Sequence, residues 1–164
     1  RDLGLKAVLV GYETFSEEEL KNYNKKSSIK DNYIAADILK ELGIDAWASF
    51  MVHPDWDKND FKQFRSYIKD LDPEISSISP LTPFPNLPLY ETYKDRWSFG
   101  QVIIRPSKID LRRYYFELLK TNLYVNLFIN KKTEMIQHYG FRNIRRFLIG
   151  GIKTLNKYIR LMME

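Results

Sequence analysis

Apolar residues are spaced in two ways along this chain. KAVLV (6–10) and IDAWASFMV (44–52) are dense apolar runs, and EISSIS (74–79) is a more polar third; between them apolar residues recur every three or four positions. Short blocks of this kind suit strands buried in a parallel sheet. The longer period suits helices that turn one face to a core. The pattern predicts strands over Lys6–Val10, Asp45–Val52 and Ile75–Ser79.

Helix starts are written between the strands. Ser16 with Glu19, Ser28 with Asp31, and Asp57 with Asp60 each have the spacing of a capping box. The first helix is expected to break near NKKSS; Ile29, Tyr33, Ala36 and Leu39 then carry the helical period to Leu42, with Gly43 as the stop. Phe61, Phe64, Ile68 and Leu71 form the core stripe of the next helix, which Pro73 closes. Strand–helix–strand–helix–strand predicts an α/β fold whose parallel strands are joined by right-handed crossovers.

Beyond the third strand the pattern changes. SPLTPFPNLPLY holds four prolines in twelve residues and reads as a rigid extended loop, neither helix nor central strand. QVIIRP reads as one more short strand or extended segment. Ser107 with Asp110 predicts a cap for a helix to about Thr121, and Thr133–Gly140 a short helix. A long basic helix follows from Phe141, with Phe141, Ile144, Leu148, Ile152, Leu155, Ile159 and Met162 on one stripe. The division expected is 1–96 for the α/β part and 97–164 for a basic helical extension.

Charge sharpens that division. Residues 1–100 hold 13 Lys/Arg against 17 Asp/Glu, a net −4, and residues 101–164 hold 13 against 4, a net +9. A length of 164 residues suffices for one domain with its own core. There is no cysteine, so these residues alone form no disulfide and no thiolate-held metal or iron–sulfur centre. No apolar run is long enough to cross a membrane, and a cytoplasmic location is expected, with peripheral membrane contact as an option. The chain opens without Met and enters a strand almost at once, as expected for a piece of something longer.

Three segments resemble the second half of a radical S-adenosylmethionine (SAM) enzyme barrel. In GYETFSEEELKNYNKKSS, the residues Gly11, Glu13, Thr14, Ser16, Leu20, Asn24 and Lys25 fall at the spacings of the turn that follows the fourth strand in that family. SFMVHPDWDKNDF is similar to the fifth strand and its turn in the cobalamin-associated subgroup, through Pro54, Asp55, Asp60 and Phe61. ISPLTPFPNLPLYE resembles the exit from strand six. The resemblance covers roughly residues 6–96 and implies a partial (β/α) barrel, three parallel strands with covering helices, and a helical C-terminal extension. Hopanoid methylases and anaerobic magnesium-protoporphyrin ester cyclases are the subfamilies it points to. Two departures stand out: His53 where many members have glycine, and Asn86-Leu87 in place of Gly-Thr.

The resemblance implies a cofactor-binding set of Glu13, Thr14, Ser16, Lys25, Ser49, His53 and Leu81. Glu13 would accept from the SAM ribose hydroxyls, and Lys25 would pair with the methionine carboxylate as a point charge. By position alone, Glu13 lies just past a strand end, where parallel sheets bind ligands, or is simply a polar loop residue; the alternative for Lys25 is a solvated lysine beside Lys26. Ser49, Met51 and His53 alternate on one strand face, approaching adenine and ribose, or, for Met51, filling the barrel. Leu81 offers an apolar shelf for adenine. His53, Asp55 and Asp57 have metal-ligating residue types, but Pro54 stiffens their turn and Asp57 serves as a cap, so a capped turn with a hydrogen-bonded His is expected and no metal site.

By the same resemblance, the intact enzyme would hold a [4Fe–4S] cluster through cysteines that precede these residues, cleave SAM reductively, and optionally bind cobalamin. This chain would be inactive alone. Its expected partners are the N-terminal half of the same enzyme, a small-molecule or lipid-like substrate and, for the isolated chain, a second copy of itself. Nucleic acid is not expected, because no strand carries aromatic stacking platforms. The rival reading is a non-catalytic α/β module whose basic amphipathic tail docks on a partner protein or an anionic membrane. A phosphate-binding barrel is weaker still, since no Gly-rich phosphate loop occurs.

Overall fold

The three apolar runs pair as one parallel sheet in sequential order. The computed structural model describes residues 4–98, 103–131 and 140–163. Its strands are β1 (Ala7–Glu13), β2 (Asp45–Val52) and β3 (Ile75–Pro80). Helices α1 (Glu17–Asn22) and α2 (Ile29–Leu42) connect β1 to β2, and α3 (Lys58–Leu71) connects β2 to β3. The expected α/β architecture, three parallel strands with covering helices and a C-terminal helix, is what the chain adopts.

Local chemistry sets these boundaries. Ser28 with Asp31 and Asp57 with Asp60 form complete capping boxes. Gly43 takes a left-handed conformation at φ 60°, as a helix stop requires. Phe61, Phe64, Ile68 and Leu71 are all buried, with Phe50 of β2 packed edge-on to Phe64 at 5.4 Å. The shared core also takes in Ile103, Tyr114, Tyr115, Leu118, Val125 and Tyr158, so residues on both sides of position 96 contribute to it.

The covered face of the sheet holds Val10, Ala48, Phe50, Val52 and Ile78. On its other face Gly11, Ser49 and Ser77 stand in register across all three strands, with Met51 beside Ser79. That lane of small residues is the face a barrel would turn inward.

Several local expectations are corrected. The proline-rich stretch is not wholly extended: Pro88 opens a short helix, α4 (Pro88–Thr92), because a first-turn proline gives up no bond that a helix would make. QVIIRP does supply a short strand, β5 (Ile103–Ile104) among its described residues, and it pairs antiparallel with β4 (Trp97–Ser98) in a separate two-stranded ribbon. The cap of α5 (Leu111–Tyr124) is Asp110, whose carboxylate accepts from Arg113 N at 2.8 Å; Ser107 is engaged elsewhere. α5 also runs past Thr121 and widens into a π turn over Val125–Ile129. That turn delivers Asn130, whose Oδ1 accepts from Ser76 N at 2.9 Å and closes part of the outer edge of β3. The short helix expected over Thr133–Gly140 lies outside the described residues, apart from Gly140.

The long helix is α6 (Phe141–Met163). It packs on α5, with the buried Tyr158 ring 5.7 Å from Tyr115. On its apolar stripe Phe141, Ile152 and Ile159 are exposed and Leu155 is half-buried. No described helix is long and apolar enough to cross a membrane.

Candidate functional site

All three strands run the same way, so Glu13, His53 and Leu81 reach the same carboxyl edge. Glu13 is the last residue of β1 rather than a residue beyond it, and sits at an irregularity where it pairs with Phe50. Its φ is 64°, and Thr14 N donates to Tyr12 O across it at 2.8 Å. A three-residue turn centred on a non-glycine residue with positive φ is strained backbone, the sort that collects at functional sites.

That turn folds the Glu13 carboxylate back over Gly11. A Cβ at Gly11 would run into Glu13 Oε1, so the carboxylate takes this place only above a glycine. Lys25 Nζ meets the same oxygen at 2.7 Å, with the Glu13 side chain 14% and the Lys25 side chain 39% exposed. The end of α1 brings Lys25 there. Lys25 N donates to Leu20 O and Asn24 N to Lys21 O, both at 2.9 Å, with Asn24 left-handed at φ 56°. This is a Schellman end, in which asparagine is tolerated at the left-handed position.

Thr14 and Ser16 serve the turn itself. Ser16 Oγ accepts from Glu19 N at 3.3 Å, but the expected reciprocal box is not made. Ser16 N donates to Thr14 Oγ1 instead, and the Glu19 carboxylate accepts from the Thr14 hydroxyl at 2.5 Å and from Trp56 Nε1 at 2.6 Å. Trp56 is buried, so Glu19 is drawn inward to satisfy an indole N–H that would otherwise lack a partner.

His53 follows β2. Its Nδ1 accepts from Asp55 N at 3.1 Å, so in the neutral ring the proton is on Nε2, which lies 2.8 Å from the Tyr93 hydroxyl. Burial holds the imidazole pKa below its ordinary value, against the raising effect of Glu19 and Asp55. Burial also pushes the Tyr93 phenol up to about 12. The turn thus contains the hydrogen-bonded histidine that its sequence suggested.

Asp55 organises the neighbouring loop. Its carboxylate takes both terminal nitrogens of Arg96 and the Ser107 hydroxyl, the last at 2.6 Å. Burial raises the Asp55 pKa, but the bonds from Arg96 and Ser107 outweigh it and hold the carboxyl at about 2. Arg96 also lies over the Tyr93 ring at 5.3 Å.

Leu81 is buried with Tyr93 and Ile104 and with Met51, Tyr23 and Trp97 against them, so its side chain is already covered by protein. Ser49 lies half-buried on the open lane, and its neighbour Met51 sits between lane and cluster. The structure therefore joins Glu13 to Lys25, sets Ser49 and His53 on adjacent parts of the same edge, and uses Thr14, Ser16 and Leu81 to build the walls.

Tyr93 and Arg96 were not singled out from sequence, and Ser107 was read there only as a helix cap. Only the acidic residue after Pro54 hinted at them, because a half-buried carboxylate needs donors.

No family model matches the chain. It is 30% identical over 128 residues to hopanoid C-3 methylase from Methylococcus capsulatus, across 74% of this chain and 25% of that protein. It is 25% identical over 169 residues to the anaerobic magnesium-protoporphyrin IX monomethyl ester cyclase of Cereibacter sphaeroides, across 96% of this chain and 27% of that one. The cyclase of the same name from Rubrivivax gelatinosus is also 25% identical, across 96% of this chain and 30% of its own length. The chain thus spans between a quarter and a third of the curated relatives it matches. Motifs at three successive strand ends, a parallel half-barrel sheet and these relatives agree: the chain belongs to the radical SAM family.

Proposed function

We propose that this chain forms one wall of a SAM pocket in a methylase- or cyclase-like radical SAM enzyme. The observation that carries the reading is Glu13, held in a strained turn at the carboxyl edge with its carboxylate fixed by Lys25. Strain at a glutamate has no packing benefit to offset it, whereas a carboxylate fixed at a sheet edge suits two ribose hydroxyls. Lys25 keeps two further N–H donors and is partly exposed, so it can meet the methionine carboxylate while still orienting Glu13.

The remaining residues fit the same ligand. The small side chains of Ser49 and Ser77 leave room for a nucleoside to lie against the sheet, beside the Glu13 carboxylate that covers Gly11. His53, neutral and donating through Nε2, supplies a polar group beside it without adding charge. Thr14 and Ser16 act by shaping the turn, and Leu81 by closing the apolar side. When bound, SAM supplies the sulfonium that such enzymes cleave. The [4Fe–4S] cluster implied by the family finds no thiolate here, since the chain has no cysteine.

Titration of the isotope-labelled chain with SAM, followed by amide NMR, tests the reading. Shifts are expected at Gly11, Glu13, Ser49 and His53, and Glu13→Gln should weaken binding about tenfold, the scale of one charge-assisted hydrogen bond. Shifts confined elsewhere, or equal affinity in Glu13→Gln, would refute it.

A further inference from the structure

β3 is the outer strand of the sheet, and α6 does not close the space beside it. A groove of about 500 Å³ lies between β3, the end of α5 with its π turn, and α6. That volume is in the range of small-ligand sites. Its walls are aliphatic, from Ile78, Leu123, Leu127, Ile152 and Leu155. Ile152 is 57% and Leu127 61% exposed, an unusual cost for residues with an apolar cleft beside them.

Two further features mark the groove as a place for a ligand. Ser76, which lines it, is 5% exposed, and its buried hydroxyl has no hydrogen-bond partner among the described residues. Buried polar groups are normally satisfied, so an orphan hydroxyl in a cleft calls for a partner. The α6 wall is opened by Gly150 and Gly151, where a Cβ would meet nothing within 4 Å. Two glycines inside a helix are a standing cost to its stability, and here they leave the cleft accessible.

Charge identifies the kind of ligand. Phe141–Met163 holds six Lys/Arg and no Asp/Glu. On the helical period Arg146, Lys153 and Lys157, all exposed, fall on the arc next to Gly150, along the rim of the groove. An apolar cleft with a cationic rim is complementary to a molecule with a hydrocarbon chain and an anionic head. We propose that this groove binds an anionic amphiphile, with its chain between β3 and α6 and its head on Arg146, Lys153 and Lys157. Nucleic acid is a poorer match, because among the described residues the walls offer no aromatic face for a base.

Two arms test the proposal on the full chain and separate the sources of such a ligand. One is co-sedimentation with phosphatidylglycerol-containing vesicles against phosphatidylcholine alone; the other is calorimetry with monomeric dodecyl phosphate below its micelle concentration. Gly151→Leu fills the cleft from a position with open space and raises helix propensity, so folding is retained and is checked by Tm. Leu127→Asp, at an exposed wall position, repeats the test without touching α6. Binding in either arm, weakened at least tenfold by both substitutions and by Lys153→Glu with Lys157→Glu, supports the groove. A vesicle-only response marks a membrane lipid, and a dodecyl phosphate response a free amphiphile. No binding in either arm overturns the proposal. So does binding that salt abolishes but Gly151→Leu and Leu127→Asp leave unchanged, which would assign it to the cationic face of α6 alone.

Discussion

At the scale of single residues, Gly11 and Asp55 have the clearest consequences. Adding a methyl group at Gly11 must push the Glu13 carboxylate off its place beside Lys25. Gly11→Ala is expected to cost little stability, because the displaced atoms end flexible side chains, and to weaken SAM binding as Glu13→Gln does; denaturant melts and the NMR titration measure the two effects. Asp55 carries the pH dependence. Its folded pKa of about 2 lies below the ordinary 3.8, so its stabilisation is complete above about pH 4 and is lost as pH falls through 2. The side chain is 25% exposed, and the contribution is about 2 kcal/mol. Asp55→Asn should lower stability by that amount at neutral pH and flatten the acid limb between pH 4 and 2 in a series of urea melts.

At the scale of elements, α3 and α5 are joined by a buried charge. Glu117 is fully buried on α5, 3.5 Å from Arg65 of α3 and 3.4 Å from Arg113; Arg65 also donates to Thr121 at 2.8 Å. Such a pair contributes little net stability, yet removing one partner strands the other. Arg65→Ala is expected to cost about 3 kcal/mol. The double change Arg65→Met with Glu117→Leu should recover most of it, because no charge is then left buried. Urea denaturation of the three proteins decides; a double variant no better than Arg65→Ala would mean that the pair itself stabilises the packing.

At the scale of the whole molecule, β1 leaves one side of the sheet without a partner strand among the described residues. Leu9 on that strand is 71% exposed and Leu5 50%, beside the open lane of the inner face. α6 packs against α5, away from this edge. An apolar strand edge is a template for pairing, and two-fold pairing is the simplest closed form. The isolated chain is expected to self-associate at micromolar concentration in sedimentation velocity, and Leu9→Lys to return it to monomer. A wild-type monomer under those conditions would show that the edge is protected in another way.

The sequence by itself determined the elements and their order. Capping pairs, the left-handed Gly43 and the aromatic stripe of α3 act over a few residues, so their chemistry is complete in the local sequence. The same holds for the carboxyl-edge position of Glu13, because parallel strands put every βα turn on one side. Tertiary structure decided the rest. Glu19 leaves its capping box because the buried Trp56 indole lies 37 positions away in sequence and needs an acceptor. Asp55 is bound by Arg96 and Ser107, 41 and 52 positions on, and α6 buries Tyr158 where it meets the Tyr115 ring of α5. These outcomes depend on which polar group is desolvated beside which partner, and that juxtaposition exists only once distant segments have packed.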